Sequence, residues 1–464
     1  MTNTKTLNCI SPVNGQVYAT RETLSHAQAK VKVAAARRAQ RHWQSLPLTT
    51  RIARVQRGIE QLGTRNDEIV TGLAWQMGRP VRYGGEYAGV VERSSRMAEL
   101  APEALSPLIV ENSDAFERRI ERQPRGLVLV IAPWNYPYMT AINTVVPALI
   151  AGNAVVLKHS TQTLLAGEHI EQAFTEAGVP EGVFQNVFLD HDLTRELLSV
   201  KTFDFVNFTG SVAGGRAVEA AAQGTFTSIA LELGGKDPGY VMEDADIDVA
   251  AESLIDGAMF NSGQCCCGIE RIYVAEALFD SFVDKAVTIV SGYKLGNPLD
   301  EEVTLGPMAH ARFAATVRQQ IKMAEDAGAT GLIDSGLFAA DDGGAYLSPQ
   351  ILTNVTHDMD IMREESFGPV VGIMKVSGDE EAITLMNDSH YGLTASLWTS
   401  DVERAARLGL EIDTGTVFMN RCDYLDPSLC WTGCKDTGRG EGLSVLGYHA
   451  VTRVKSYHLR KAIN

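Results

Sequence analysis

The feature that most constrains the fold is an alternation of short apolar runs with helical segments between residues 125 and 235. Gly126-Leu127-Val128-Leu129-Val130-Ile131 has the composition of a strand buried on both faces, and Ala141 to Ala151 reads as a helix. Asn153 to Lys158 gives a second strand, residues 164–177 a helix, and Val183 to Leu189 a third strand. Phe203 to Phe208 is a fourth, running into a glycine-containing turn and a helix from Val212 to Ala222. Continuous apolar strands separated by helices specify a parallel α/β sheet. The pattern resumes at Arg271 to Val274, Val370 to Lys375 and Ala395 to Trp398, which implies a second α/β domain and a cleft between the two. Residues 24–44 and 50–63 read as amphipathic helices. Residues 108–124 alternate in polarity like an exposed hairpin.

A chain of 464 residues is too long for one ordinary core. With 41 basic against 57 acidic residues it carries −16 charges, which argues against nucleic-acid or anionic-membrane partners. The N-terminal residues have no secretory signal, and no apolar run is long enough to span a bilayer. The seven cysteines form no disulfide framework, so a reducing cytoplasm is expected. Cys430 and Cys434 lack a second ligand pair, and no metal site is expected.

The chemistry centres on Asn261-Ser262-Gly263-Gln264-Cys265-Cys266-Cys267. Three adjacent cysteines on a glycine-flanked turn cannot all point into a core, so at least one should face a cleft as a nucleophile. Structural or metal-binding roles are the alternatives. Each parallel strand should deliver its last residue to a ligand crevice. Asn135, in Pro133-Trp134-Asn135-Tyr136-Pro137, is a fixed amide donor or a helix cap. Lys158 ends the second strand as a ribose or phosphate ligand or as a surface lysine. Phe208-Thr209-Gly210-Ser211 and Gly215 place a helix N-terminus where a pyrophosphate can sit, although the spacing is unusual for such a motif. Glu232, before Leu233-Gly234-Gly235-Lys236, is a general base or a turn residue, and Glu365-Ser366-Phe367-Gly368-Pro369 offers a carboxylate and a ring on a rigid turn.

Taken together and in this order, Glu-Leu-Gly-Gly-Lys, Gly-Gln-x-Cys and Glu-x-Phe-Gly-Pro resemble the NAD(P)-dependent aldehyde dehydrogenase superfamily over essentially the whole chain. The resemblance implies two parallel-sheet α/β domains plus a small β extension for oligomerisation. Residues 1–107 and 125–234 would form the dinucleotide-binding domain, 235–436 the catalytic domain, and 108–124 with 437–464 the oligomerisation segments of a homodimer or homotetramer. It implies Cys266 as nucleophile, Asn135 as oxyanion donor and Glu232 as the base that hydrolyses the thioester, which disfavours transfer to coenzyme A. Cofactor contacts would come from Ile131, Ala132, Pro133, Trp134, Lys158, Ser160, Thr161, Gly210, Ser211, Gly215, Leu233, Glu365 and Phe367. Tyr136, Thr140, Asn143, Cys265, Cys267 and Tyr424 would line the substrate pocket.

Three departures from the family pattern carry information. Thr161 stands where a ribose-binding glutamate is common, which points to NADP, or to use of both NADP and NAD. Asn186 to His191 lacks the usual glycines and brings acidic Asp190 near the adenosine end. Asn420 to Pro427 places Arg421 near the substrate entrance, where it either binds the carboxylate of a semialdehyde or pairs with Asp423 or Asp426. A cofactor-independent thiol esterase is the alternative from a different class.

Overall fold

The computed structural model describes residues 4–461. Its centre is a six-stranded sheet in the order Gly438–Arg439, Ser228–Glu232, Phe205–Thr209, Leu127–Ile131, Ala154–Lys158, Phe184–Asn186. All neighbours run parallel except the short Gly438–Arg439 edge. The chain enters at Leu127–Ile131, winds outward through Ala154–Lys158, then returns to the other side at Phe205–Thr209. The point where the winding reverses opens a crevice at the carboxyl ends of the strands. Ile131, Lys158, Thr209 and Glu232 are those strand ends.

A seven-stranded sheet follows, in the order Thr330–Gly331, Gln350–Thr353, Val370–Val376, Ile269–Ala275, Asp237–Val241, Thr394–Trp398, Thr416–Met419. Its antiparallel pair is the Thr330–Gly331 edge. Every residue of Leu127–Ile131, Ile269–Ala275 and Thr394–Trp398 is buried, as expected of strands covered on both faces. A third sheet joins Leu108–Asn112, Phe116–Pro124 and Thr452–Arg460, with the last pairing antiparallel along the middle strand. The expected exposed hairpin is therefore two strands of three. Among the described residues no helix is long and apolar enough to cross a membrane.

Local signals set the elements that carry the site. Ser25 caps the helix His26–Ser45 in a reciprocal box with Gln28. Pro137 occupies the first turn of the helix Pro137–Ala151, where its missing N–H costs nothing, and left-handed Gly152 ends it. Gly235 is dictated by close approach: a Cβ there would lie 2.2 Å from the Cys266 carbonyl oxygen.

Candidate active site

Cys266 follows a strained turn. Asn261, Ser262 and Gly263 are all left-handed, with φ of 55°, 56° and 69°. Such conformations persist only where surroundings over-determine them, and a polar network does so here. Gln264 Nε2 donates to the Asn261 carbonyl at 3.0 Å, while its Oε1 accepts from Ala309 N–H at 2.7 Å. Arg79 Nε donates to Asn261 Oδ1 at 3.2 Å, and its Nη2 to the Asn135 carbonyl at 2.5 Å. Glu86 pairs with Arg79 at 3.0 Å and accepts from the N–H groups of Tyr138 and Met139 at the start of the helix Pro137–Ala151. One buried ion pair thus fixes both the nucleophile turn and the Asn135 turn. Asn135 is buried and donates through Nδ2 to the Gln264 carbonyl at 3.2 Å, two residues before Cys266.

A cavity of about 300 Å³ opens beside Cys266. Its walls include the expected Tyr136, Thr140, Asn143, Glu232, Leu233, Cys265, Cys267 and Tyr424. Burial lifts the Glu232 carboxyl to about 7, opposed by a hydrogen bond from Thr209 Oγ1 at 3.3 Å. Hydrogen bonding from Cys265 and then Cys267 pulls the Cys266 thiol down to about 6, against the effect of burial. The two flanking sulfurs lie 3.5 Å apart, and both reach Asp423 Oδ1, at 3.2 Å from Cys265 and 3.1 Å from Cys267.

Arg421 is corrected by the fold. Its side chain is exposed, stacked 3.5 Å over the Tyr424 ring, and it is not among the cavity-lining residues. It pairs with neither Asp423 nor Asp426, because Asp423 faces the two thiols and Asp426 takes the Ser428 N–H. The guanidinium in the cavity wall is Arg93, which is 7% exposed. Its bond among the described residues is from Nη1 to Asn143 Oδ1, 3.2 Å, and it forms no ion pair there. The sequence does contain a signal: in the helix Tyr87–Ala104, Arg93 follows Val90 and precedes Met97 at helical spacing on the buried face.

The cofactor candidates gather at the crevice. Trp134 stacks on Phe313 with centroids 5.4 Å apart and meets Phe367 edge-on at 5.5 Å. Glu365 Oε1 accepts from Gly235 N–H at 3.0 Å, and burial raises its carboxyl to about 8. Glu270, which sequence reading missed, holds this turn by accepting from the N–H groups of Ser366 and Phe367 at 2.8 and 2.9 Å. Buried Lys236 pairs with Glu270, which explains the lysine of Glu-Leu-Gly-Gly-Lys. Ser211 caps the helix Val212–Ala221, and Gly215 packs where a Cβ would meet Leu233 at 2.6 Å. Ile131, Ala132 and Pro133 lead from the strand end to Trp134. The Lys158 amine is half-buried and forms no hydrogen bond or ion pair among the described residues, although Asp190 lies close enough to act on it electrostatically. Ser160 caps the short turn that begins at Thr161. Asp190 is already engaged: it pairs with Lys5 at 2.7 Å and caps the helix His191–Ser199. An unpartnered amine, a glycine turn and a helix N-terminus at the winding reversal together suit a dinucleotide.

This fold and site suit a cofactor-dependent oxidoreductase. The aldehyde dehydrogenase family model matches residues 1–457, and the chain belongs to that family. It is 32% identical to a succinate-semialdehyde dehydrogenase [NADP(+)] of Deinococcus radiodurans, over 96% of this chain and 93% of the relative. It is 34% identical to a vanillin dehydrogenase of Corynebacterium glutamicum, over 93% of this chain and 89% of the relative. The solved succinic semialdehyde dehydrogenase of Streptococcus pyogenes, in complex with NADP+, superposes with a TM-score of 0.91 at 29% identity. That match covers 98% of this chain and 100% of the other. The protein is an NAD(P)-dependent dehydrogenase that oxidises aldehydes to carboxylic acids.

Proposed function

We propose that oxidation proceeds through a covalent intermediate on Cys266, and that the natural substrate is a short aldehyde carrying a carboxylate. The juxtaposition of Cys266 and Glu232 on one cavity wall, with Asn135 tied to the same turn, carries the first part. The Cys266 thiolate adds to the aldehyde carbon to give a thiohemiacetal. The Asn135 side-chain amide and the Cys266 N–H stabilise its oxyanion. The dinucleotide, when bound, supplies the hydride acceptor that turns this adduct into a thioester. Glu232, with its affinity for protons raised to neutrality, takes one from water as the water attacks the thioester. The acid leaves and Cys266 is regenerated. Cys266→Ala should abolish aldehyde-dependent cofactor reduction, and retained turnover refutes the assignment.

Arg93 carries the second part. A buried guanidinium stays charged, and one amide oxygen does not match its donors. A substrate carboxylate in the cavity would complete it, in keeping with the semialdehyde named for two of the proteins compared above. Cofactor reduction across propanal, hexanal, benzaldehyde and succinic semialdehyde tests this. Preference for a neutral aldehyde refutes it.

For the cofactor we infer use of NADP, with NAD accepted. Thr161 and Lys158, whose amine forms no ion pair among the described residues, offer a hydroxyl and a cation to a 2′-phosphate. Ile131, Ala132, Pro133 and Trp134 would wall the nicotinamide side, Gly210, Ser211 and Gly215 the pyrophosphate, and Glu365 with Phe367 the nicotinamide ribose. On this reading 1–107 and 125–234 form the dinucleotide-binding domain and 235–436 the catalytic domain. Residues 108–124 and 437–464 serve oligomerisation, the latter also lending Gly438–Arg439 to the six-stranded sheet. Leu108, Ile109, Val110, Val454 and Leu459 are exposed on the third sheet, which suits pairing with a second copy in a homodimer or homotetramer. Light scattering tests that; a monomer refutes it. Seven free cysteines suit a reducing cytoplasm.

A further inference from the structure

The reaction places its covalent chemistry on Cys266, and Cys265, Cys267 and Asp423 form no bond in it. Their donor atoms all lie within 4.8 Å of one another. The sulfurs are 3.5 Å apart, and Asp423 Oδ1 is 3.2 and 3.1 Å from them. Tetrahedral zinc, with Zn–S of about 2.3 Å and Zn–O of about 2.1 Å, needs edges of about 3.8 and 3.6 Å. An outward relaxation of a few tenths of an ångström on average converts one geometry into the other. Among the described residues Asp423 has no ion pair, its two partners are weak thiol donors, and burial makes its carboxyl hold a proton more tightly than usual, a proton that a bound cation would displace. All three side chains also line the cavity, so a cation can enter along the substrate's path.

We propose that Cys265, Cys267 and Asp423 form a site for one soft divalent cation of the zinc or cadmium class, and that its occupancy switches the enzyme off. Binding forms two metal–thiolate bonds and one metal–carboxylate bond and releases to solvent both thiol protons and any proton on the Asp423 carboxyl; no electrons are exchanged. The fourth position is taken by cavity water or by the Cys266 thiolate. Inhibition follows because the cation, held in the wall of the substrate cavity beside Cys266, competes directly for the Cys266 thiolate. The loss of turnover rests on Cys266 being the nucleophile, whereas the binding does not.

Cadmium titration of the full-length enzyme in thiol-free buffer, followed by the thiolate-to-cadmium charge-transfer band, tests the site. Wild type and Cys266→Ala should each bind one equivalent, and in wild type turnover should fall in step and return on chelation. Cys265→Ser, Cys267→Ser and Asp423→Asn should each weaken binding at least about tenfold. Asn suits position 423, whose φ is +53°, so that variant keeps the loop conformation. Retained far-ultraviolet circular dichroism would confirm that each variant folds. Loss of binding in Cys266→Ala would overturn the proposal by showing the cation sits on the nucleophile alone. Unchanged binding in all three flanking variants, or no band in wild type, would overturn it equally.

Discussion

Replacing Arg93 by glutamine removes the one guanidinium that lines the cavity among the described residues, while keeping a polar side chain facing Asn143. If the substrate carboxylate docks there, the variant leaves a desolvated anion facing a neutral amide. Arg93 is 7% exposed, so little water can compensate. Truncating one partner of a buried hydrogen-bonded charge pair costs about 2–5 kcal/mol. At about 1.4 kcal/mol per decade, the ratio of kcat/KM for succinic semialdehyde to that for propanal should fall about 30- to 4,000-fold. Initial rates of cofactor reduction for the two aldehydes, with wild type and Arg93→Gln, give that ratio. A change below about threefold, no more than a weak neutral hydrogen bond contributes, would mean that the substrate carboxylate does not dock on Arg93. Equal losses for both aldehydes, with slower alkylation of Cys266, would place Arg93's influence on Cys266 and Glu232 instead.

Deacylation should accelerate as pH rises through about 7, because Glu232 must lose its proton to act as base and burial raises its pKa to that value; pre-steady-state rates would show it, and a flat profile contradicts the role. Thr161→Glu should lower kcat/KM for NADP about 10- to 100-fold relative to NAD, since a carboxylate repels a 2′-phosphate; an unchanged ratio places the phosphate elsewhere. Gly235→Ala should cost about 1–3 kcal/mol in denaturant unfolding and slow alkylation of Cys266, because the new Cβ would lie 2.2 Å from the Cys266 carbonyl. Glu270→Gln should raise KM for the cofactor more than for aldehyde, since it loosens the turn bearing Glu365 and Phe367.

The parallel strands and their carboxyl-terminal residues were legible because buried strands are written as continuous apolar runs. Asp237–Val241, by contrast, holds a proline and a glycine in the middle of the seven-stranded sheet. Those residues ordinarily argue against a central strand. A register shift between Asp237 and Pro238 accommodates the proline, and Gly239 clears room for Leu254. Neither compensation is local in sequence. Cys266, Glu232 and Asn135, which the fold brings to one site, stand out in the sequence because their motifs are contiguous. Arg93, Arg79, Glu86 and Glu270 act across distances that only the fold closes, as when Glu86 reaches the first turn of Pro137–Ala151. Arg421 misled because a charge beside the substrate loop looks functional until its side chain is seen turned outward over Tyr424.

A thioester on Cys266 that Glu232 clears is tested most simply by mass spectrometry of Glu232→Gln, quenched after mixing with NADP and succinic semialdehyde. A burst of reduced cofactor should be matched by an acyl adduct on the peptide bearing Cys266. A burst with no adduct, or with the adduct on another residue, would contradict it.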